Sequence, residues 1–173
     1  MSSIFNQYSF LFLSVSVGVL LALVIRTWWK PRLLVGAAVL SIYALVVILI
    51  LVTVRFPAGN APRDTLASIE STLTDGRPTF VMLYSHFCLN CIRALPAVRE
   101  LDDQLTGQGV EIDELLLDIH SEVGRAARER FSFRYTPTYL LFDGAGNELL
   151  RSNQLFTLDE MRVALREAEN ETQ

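Results

Sequence analysis

Two long stretches without a charged side chain dominate the first 54 residues of this 173-residue chain. They run from Tyr8 to Ile25 and from Leu33 to Val54, and they contain 18 and 22 residues. At 1.5 Å per residue, helices of these lengths span about 27 and 33 Å, against about 30 Å for the hydrocarbon core of a bilayer. The sequence therefore predicts a two-helix transmembrane anchor over residues 1–54.

Two other interpretations of these stretches stay open at this point. A buried helical hairpin of a soluble protein would normally carry a polar face, which neither stretch has. A cleaved signal peptide would have basic residues before its apolar run and small residues after it. Here residues 1–7 hold no basic side chain, and the first run is followed by Arg26-Thr27-Trp28-Trp29-Lys30, a pattern typical of a membrane interface.

The basic residues around the two stretches predict an orientation. Arg26, Lys30 and Arg32 lie between the stretches, whereas Arg55 and Arg63 follow the second one. Because basic residues concentrate on the cytoplasmic side, we expect the connecting loop inside and both termini outside. The predicted location is an integral protein of a cell inner membrane, plasma membrane or thylakoid-like membrane. Its soluble domain would face the periplasm or another extracytoplasmic space.

The rest of the chain differs sharply in composition. Residues 55–63 contain two prolines and a glycine, which predicts a short tether between the bilayer and a domain over residues 64–173. Residues 55–173 carry 12 basic and 19 acidic side chains, for a net charge of −7. This acidic balance argues against nucleic acid as a partner.

Within this domain, the apolar pattern alternates between strand and helix periods. Asp64 is in a suitable position to be the first helix's N-cap, and the last helix begins with a capping box formed by Thr157 and Glu160. The pattern predicts helices over 64–73, 88–105, 121–131 and from 158 onward, and strands over 78–85, 110–118, 138–142 and 148–151. The expected fold class is α/β, with a central mixed sheet and helices on both faces.

Both cysteines of the chain lie in the segment Cys88-Leu89-Asn90-Cys91, directly after a predicted strand and at the start of a helix. One helical turn brings two sulfurs at this spacing within bonding reach. The free N–H groups at the helix N-terminus favour a thiolate at Cys88. We therefore expect Cys88 to be exposed and to attack disulfides, and Cys91 to be shielded and to resolve the intermediate.

Other roles for the two cysteines are a zinc site and an inert disulfide. Structural zinc takes four ligands, and only His86 and His120 are available to complete the set. A disulfide across one helical turn closes a very short loop and adds little stability. Redox chemistry without a bound metal is therefore the favoured interpretation.

The domain resembles the thioredoxin superfamily over about residues 64–169. The resemblance rests on the strand followed by the dithiol, on Pro96 five residues after the second cysteine, and on Tyr135-Thr136-Pro137-Thr138 before a strand. It implies a thioredoxin-like fold and a cis proline at Pro137 lying against the dithiol. It also implies that a redox-active disulfide between Cys88 and Cys91 is the only redox group. The residues it places at the substrate-binding site are Phe87, Leu89, Asn90, Thr136 and Pro137.

This sequence also departs from the family pattern. Met82 stands where thioredoxins carry a buried acid that helps to deprotonate the second cysteine. We hypothesise that Glu114 on the neighbouring strand supplies this carboxylate, the alternative being a solvated glutamate at a strand edge. His86 is a second candidate for proton transfer, because its cation would favour the Cys88 thiolate; alternatively, it is an exposed loop histidine.

The resemblance implies a membrane-anchored thiol-disulfide oxidoreductase that acts on thiols and disulfides of extracytoplasmic proteins. The favoured direction is reduction, as in tethered thioredoxins that serve cytochrome c maturation. Because the predicted membrane helices contain no cysteine, a separate membrane thiol reductase would supply the electrons. Two alternatives stay open: a disulfide-forming oxidant on the same fold, and a non-catalytic assembly module of a membrane complex.

Overall fold

The computed structural model describes residues 2–28, 33–53 and 61–171. The N-terminal part forms a short helix, α1 (Ser2–Gln7), and two long helices, α2 (Ser9–Trp28) and α3 (Leu33–Thr53). The Tyr43 hydroxyl donates to the Ser14 carbonyl over 2.5 Å, and Ile25 packs against Gly36. These contacts pair α2 and α3 as antiparallel neighbours. Residues 29–32 of the predicted interfacial loop (26–32) and residues 55–60 of the predicted tether (55–63) lie outside the described residues.

One of these helices meets the length and hydropathy of a membrane span. It is α2, over the 18 residues Ser9–Arg26, and a signal sequence near an N-terminus has the same properties. In α3 the apolar helix within the described range, Gly36–Val52, is shorter than a full span. Thus the described residues contain one candidate span where the sequence predicts two, and the second stays a prediction.

The remaining described residues, 61–171, form an α/β domain. Its helices are α4 (Leu66–Leu73), α5 (Leu89–Gly107), α6 (Glu122–Arg130) and α7 (Leu158–Glu171), and its strands are β1 (Thr79–Tyr84), β2 (Asp113–Asp118), β3 (Thr138–Phe142) and β4 (Glu148–Ser152). The N-cap of α4 is Thr65 rather than Asp64, because Thr65 and Ser68 satisfy each other's backbone N–H groups. The capping box predicted at Thr157 and Glu160 is confirmed.

The four strands form one mixed sheet, as predicted, in the order β2-β1-β3-β4. Strand β1 pairs with β2 in parallel and with β3 in the antiparallel direction, and β3 pairs antiparallel with β4. Every residue of β1 is buried, as expected for a central strand covered on both faces. The predicted tether ends at this sheet, since the Ala61 amide donates to the Glu114 carbonyl over 3.2 Å.

Successive side chains of β1 point to opposite faces of the sheet and divide the core in two. Val81 and Leu83 pack with side chains of α4 and α6, such as Ile69 and Ala127. The opposite face packs against α5 and α7, and its cluster contains Phe80, Met82, Val98, Met161 and both cysteines. The predicted arrangement of helices on both faces is therefore confirmed, and the dithiol belongs to the core beneath α5.

The two glycines Gly124 and Gly107 allow a matched test of this packing. A Cβ on Gly124 would lie 1.8 Å from the Asp118 carbonyl oxygen, whereas a Cβ on Gly107 would meet nothing within 4 Å. We expect Gly124→Ala to lower the free energy of unfolding by about 1–3 kcal/mol. Gly107→Ala should leave it unchanged or raise it by up to about 1 kcal/mol through helix propensity. Urea unfolding of the full chain in detergent would measure both, and equal losses would contradict the assigned packing of α6.

Candidate functional site

The candidate site lies where the chain leaves β1 and enters β3. Strand β1 leads through residues 85–87 to Cys88, the N-cap residue of α5. Leu83 of β1 pairs with Thr138 of β3 in the antiparallel direction. This register brings the loop after β1 to the same sheet edge as the segment before β3. The Cys88 thiol donates to the Thr136 carbonyl over 3.3 Å, and the Thr136–Pro137 peptide bond is cis, as the resemblance implies.

The pKa of Cys88 is lowered to about 6, from an ordinary thiol value near 9. The largest cause is the hydrogen bond from the side chain of Cys91. Burial acts in the opposite direction, and the Thr136 side chain and the backbone N–H groups of Cys91 and Asn90 lower the pKa further. At neutral pH the Cys88 sulfur is therefore mainly a thiolate.

Cys91 lies in the first turn of α5 and has the opposite acidity. Its burial raises the pKa of the thiol far above the ordinary range, and the hydrogen bond and negative charge of Cys88 raise it further. One sulfur is thus ready to attack while the other keeps its proton. The roles of Cys88 as attacking thiol and Cys91 as resolving thiol stay predictions, and this difference in acidity is the property they require.

The prediction that Cys88 is exposed was wrong, because the exposed fraction of both cysteines is 0%. The physical reason is that both cysteines pack in the core cluster on this face of the sheet. In addition, a segment from the N-terminal part of the chain, Asn6–Phe10, which we call the cover segment, contacts the residues around Cys88. Asn6 Oδ1 accepts hydrogen bonds from the Thr136 backbone N–H over 2.7 Å and from its hydroxyl over 3.1 Å. Ser9 Oγ accepts from the Leu89 N–H over 2.9 Å, at the first turn of α5.

Tyr8 anchors the cover segment to an aromatic cluster beside the dithiol. Its ring stacks on Phe87 at a centroid distance of 5.7 Å and lies 5.2 Å from the His120 ring. Nε2 of His120 lies 2.9 Å from Ser85 Oγ, which donates to the Gln7 carbonyl over 3.0 Å. Sequence reasoning gave His120 no role beyond a possible zinc ligand, since nothing in one sequence relates residue 8 to residue 120.

The predicted substrate-binding residues surround the sulfurs but differ in exposure. Asn90 is exposed, Phe87 and Leu89 are half-buried, and Thr136 and Pro137 are buried. Beside them lies a groove of about 350 Å³. It is lined by Asn6, Asn90, Ala94, Tyr135, Thr136, Pro137, Tyr139 and Asn153.

Asn153 is a groove residue that the sequence analysis missed. Its Nδ2 donates to the Pro137 carbonyl over 2.9 Å and to the Thr138 hydroxyl over 3.0 Å. These bonds fix the segment that enters β3 from the far side of the groove. An asparagine just after a strand is a common turn residue, so its type alone carries no signal for this role.

Glu114, the hypothesised carboxylate, lines a separate small cavity with Asp102. Burial raises the pKa of Glu114 to about 7, the Asp102 charge adds to the rise, and Arg63 opposes it. Asp102 follows Cys91 by 11 residues in α5, which is about 16 Å along the helix. Because this cavity lies along α5 rather than at its N-terminus, proton transfer by Glu114 stays a prediction.

His86, the second candidate for proton transfer, lies in the loop between β1 and the dithiol. Its Nε2 lies 3.8 Å from Asp118 Oδ2, and its ring packs edge-on against Tyr84 at 5.1 Å. Its role also stays a prediction. Over residues 2–28, 33–53 and 61–171, the structure contains no group of three or more His, Cys, Asp or Glu side chains that could hold a metal ion.

No protein-family model and no curated protein matches the sequence. Among solved structures, the chain is similar to thioredoxin from Fasciola hepatica, at 20% identity and a TM-score of 0.45, over 64% of this chain and 97% of that one. It is also similar to thioredoxin from Trypanosoma brucei brucei, at 8% identity and a TM-score of 0.48, over 70% and 97% of the two chains. A designed protein is similar at 18% identity and a TM-score of 0.49, over 65% and 99%.

The fold is thioredoxin-like. The features of this chain that carry the assignment are the element order from β1 to α7, the mixed sheet, and the dithiol at the N-terminus of α5 beside a cis proline.

The acidity of Cys88 gives a testable pH dependence. Only the thiolate reacts with iodoacetamide, so the alkylation rate of the reduced chain should be half-maximal near pH 6 and constant above about pH 7.5. Cys91→Ala removes the largest cause of the low pKa and should move the midpoint upward toward the ordinary thiol value near 9. Mass spectrometry of the Cys88 peptide measures both profiles. Identical midpoints in the two proteins would contradict the role given to Cys91.

Proposed function

We propose that this chain is a membrane-anchored thiol-disulfide oxidoreductase that exchanges electrons with client proteins through Cys88 and Cys91. The observation that carries the proposal is a pair of neighbouring thiols with opposite shifts in pKa, beside the segment Thr136–Pro137. A structural pair of cysteines has no need for this difference, whereas disulfide exchange requires one thiolate and one protonated thiol.

The proposed reaction has two exchange steps. The Cys88 thiolate attacks a client disulfide, so that a mixed disulfide forms and the first client thiolate leaves and takes up a proton. Cys91 then loses its proton and attacks the Cys88 sulfur, which releases the second client thiol. The client gains two electrons and two protons, and the chain is left with a Cys88–Cys91 disulfide. In the mixed disulfide Cys88 carries no charge, so one cause of the raised pKa of Cys91 is absent at the step that needs its thiolate.

Reduction of the client is the favoured direction. A strongly stabilised thiolate makes a disulfide oxidising, as in DsbA, where the attacking cysteine has a pKa of about 3.5, whereas in thioredoxin the value is about 7. The pKa of about 6 for Cys88 lies closer to the pKa of the attacking cysteine in thioredoxin than to that in DsbA. Clients in an extracytoplasmic space, such as those of cytochrome c maturation, fit this direction. The chain has two cysteines in all, so a separate membrane thiol reductase would return it to the dithiol form.

The proposed anchor consists of α2 and α3 inserted as a hairpin. Large apolar side chains of both helices are exposed, with exposed fractions of 62% for Leu20 and 66% for Leu45. The polar hydroxyl of Tyr43 is satisfied between the two helices by the Ser14 carbonyl, which suits a bilayer without water. The contacts of the cover segment with the domain support the predicted topology, since they need the N-terminus and the domain on the same side.

We expect the full chain in lipid nanodiscs, with dithiothreitol as the electron source, to accelerate the reduction of accessible protein disulfides such as those of insulin. Cys88→Ser should lower the rate to the uncatalysed background, because it removes the attacking sulfur. Cys91→Ala should accumulate a mixed disulfide at Cys88, because the intermediate is no longer resolved. Ser71→Ala, on the exposed side of α4, is the control and should keep the full rate. A Cys88→Ser protein that keeps its activity in cells would favour the assembly module instead.

The hairpin predicts where the domain lies relative to the membrane. We expect protease added to spheroplasts of an expressing bacterium to digest the domain of the full chain. Arginine at two α3 positions, Leu45→Arg with Leu49→Arg, costs about 5–7 kcal/mol on insertion scales and should leave α2 as the only span. The domain should then become protected in the cytoplasm, while Leu45→Ile with Leu49→Ile leaves it exposed. Protection of the domain in the unaltered chain would rule out the proposed orientation, with both termini outside.

A further inference from the structure

The buried dithiol raises a steric question for the proposed exchange. A client sulfur must come within bonding distance of the Cys88 sulfur, yet the exposed fraction of Cys88 is 0%. The sulfur itself donates to Thr136, a residue that the cover segment also contacts. The cover segment and the Cys88 sulfur thus share Thr136 as a hydrogen-bond partner.

The cover segment contacts three of the elements around the dithiol, namely the segment before β3, the first turn of α5 and the loop after β1. On the β3 side, Asn6 accepts two hydrogen bonds from Thr136. On the α5 side, Ser9 accepts the Leu89 N–H, which immediately follows the reactive cysteine. On the side of the preceding loop, the Phe10 N–H donates to the Phe87 carbonyl over 3.0 Å. The cover segment therefore hydrogen-bonds to Phe87 and Leu89, the residues before and after Cys88, and to Thr136, the hydrogen-bond partner of the Cys88 sulfur.

Two of these contacts use backbone groups that an incoming peptide needs. A peptide that pairs with the segment before β3 takes the Thr136 N–H with one of its carbonyl groups, and Asn6 Oδ1 already takes it over 2.7 Å. The Phe87 carbonyl would accept an N–H from the same peptide and already accepts one from Phe10. The cover segment thus supplies an oxygen from the Asn6 side chain and an N–H group from the Phe10 backbone, and it occupies with them two groups that a client backbone would use.

We infer that Asn6–Phe10 is an intramolecular occupant of the client groove, and that a client reaches Cys88 only by displacing it with an extended peptide segment of its own. This inference rests on the proposed function for the identity of the incoming ligand. It also predicts a preference for peptide disulfides over small disulfides. A client peptide can form with its own backbone the hydrogen bonds that the domain loses when the cover segment leaves, whereas a small disulfide has no backbone to do so. Because Ser9 is the first residue of α2, displacement changes the position of the membrane helix relative to the domain.

The test measures access to Cys88 with N-ethylmaleimide on the reduced full chain in nanodiscs. At pH 8 the thiolate is fully formed, so differences in rate report access rather than acidity. Asn6→Ala with Ser9→Ala removes three hydrogen bonds of the cover segment and should speed alkylation by about tenfold or more. Ser16→Ala, on the exposed surface of the same helix, is the matched control and should react as slowly as the unaltered chain.

The same proteins are then assayed with insulin, with a disulfide-bonded peptide and with hydroxyethyl disulfide. The unaltered chain should prefer the peptide disulfides, and the double variant should gain most on the small disulfide. Equal alkylation rates in all three proteins overturn the inference even if insulin is reduced. If the double variant is alkylated faster but reduces none of the disulfides, the inferred role of the cover segment is supported and the proposed function is overturned. Urea unfolding of each protein verifies that the double variant is folded, so that its faster alkylation does not come from an unfolded domain.

Discussion

The antiparallel pairing of β1 with β3 is the constraint on which the candidate site depends. It joins the two strands at Leu83 and Thr138, so that the residues after one strand and before the other meet at one edge of the sheet. Cys88 and Thr136 are 48 residues apart in sequence and still come within hydrogen-bond distance. Since β1 is buried along its whole length between two layers of helices, this distance is held by the core rather than by surface loops.

The sequence predicted the elements well because apolar runs and turn residues mark them locally. Where a boundary moved, long-range pairing decided it. Val110 and Ile112 are apolar enough for a strand, but β2 begins at Asp113, because its partner β1 begins at Thr79 and the two residues pair. The two earlier residues pack instead against the core near α5. Strand length is thus a property of the pair, which the pattern of one strand does not contain.

The burial of Cys88 was beyond prediction for the same reason at a larger scale, whereas Cys91 was expected to be shielded. The contacts that cover it join Asn6 to Thr136 across 130 residues, and Ser9 to Leu89 across 80. Asn6 and Ser9 are ordinary polar residues at the edge of an apolar run, so neither position signals a distant partner. The motif Cys88-Leu89-Asn90-Cys91 predicts redox chemistry, but it contains no information about the packing that buries Cys88.

Register also explains why the hypothesis for Glu114 is hard to satisfy. Glu114 pairs with Phe80, whereas Leu116 pairs with Met82, the position at which thioredoxins carry the acid. The carboxylate is therefore displaced by two residues along the sheet, and the strand positions beside Cys91 are apolar. Such surroundings make burial the largest cause of the raised pKa of Cys91. The same apolar surroundings that protect the resolving thiol from water make its deprotonation depend on the loss of charge from Cys88.

The burial of Cys88 and the hydrogen bonds to its sulfur change the pKa of the thiol in opposite directions. Burial raises the pKa of this thiol, while Cys91 and the backbone N–H groups at the start of α5 lower it. In the inferred displacement, part of the burial would be lost while the hydrogen bonds from α5 stay in place, so the thiolate would become more stable as the sulfur becomes accessible. Because the segment continues directly into α2, a movement of that helix would change both the access to Cys88 and its charge.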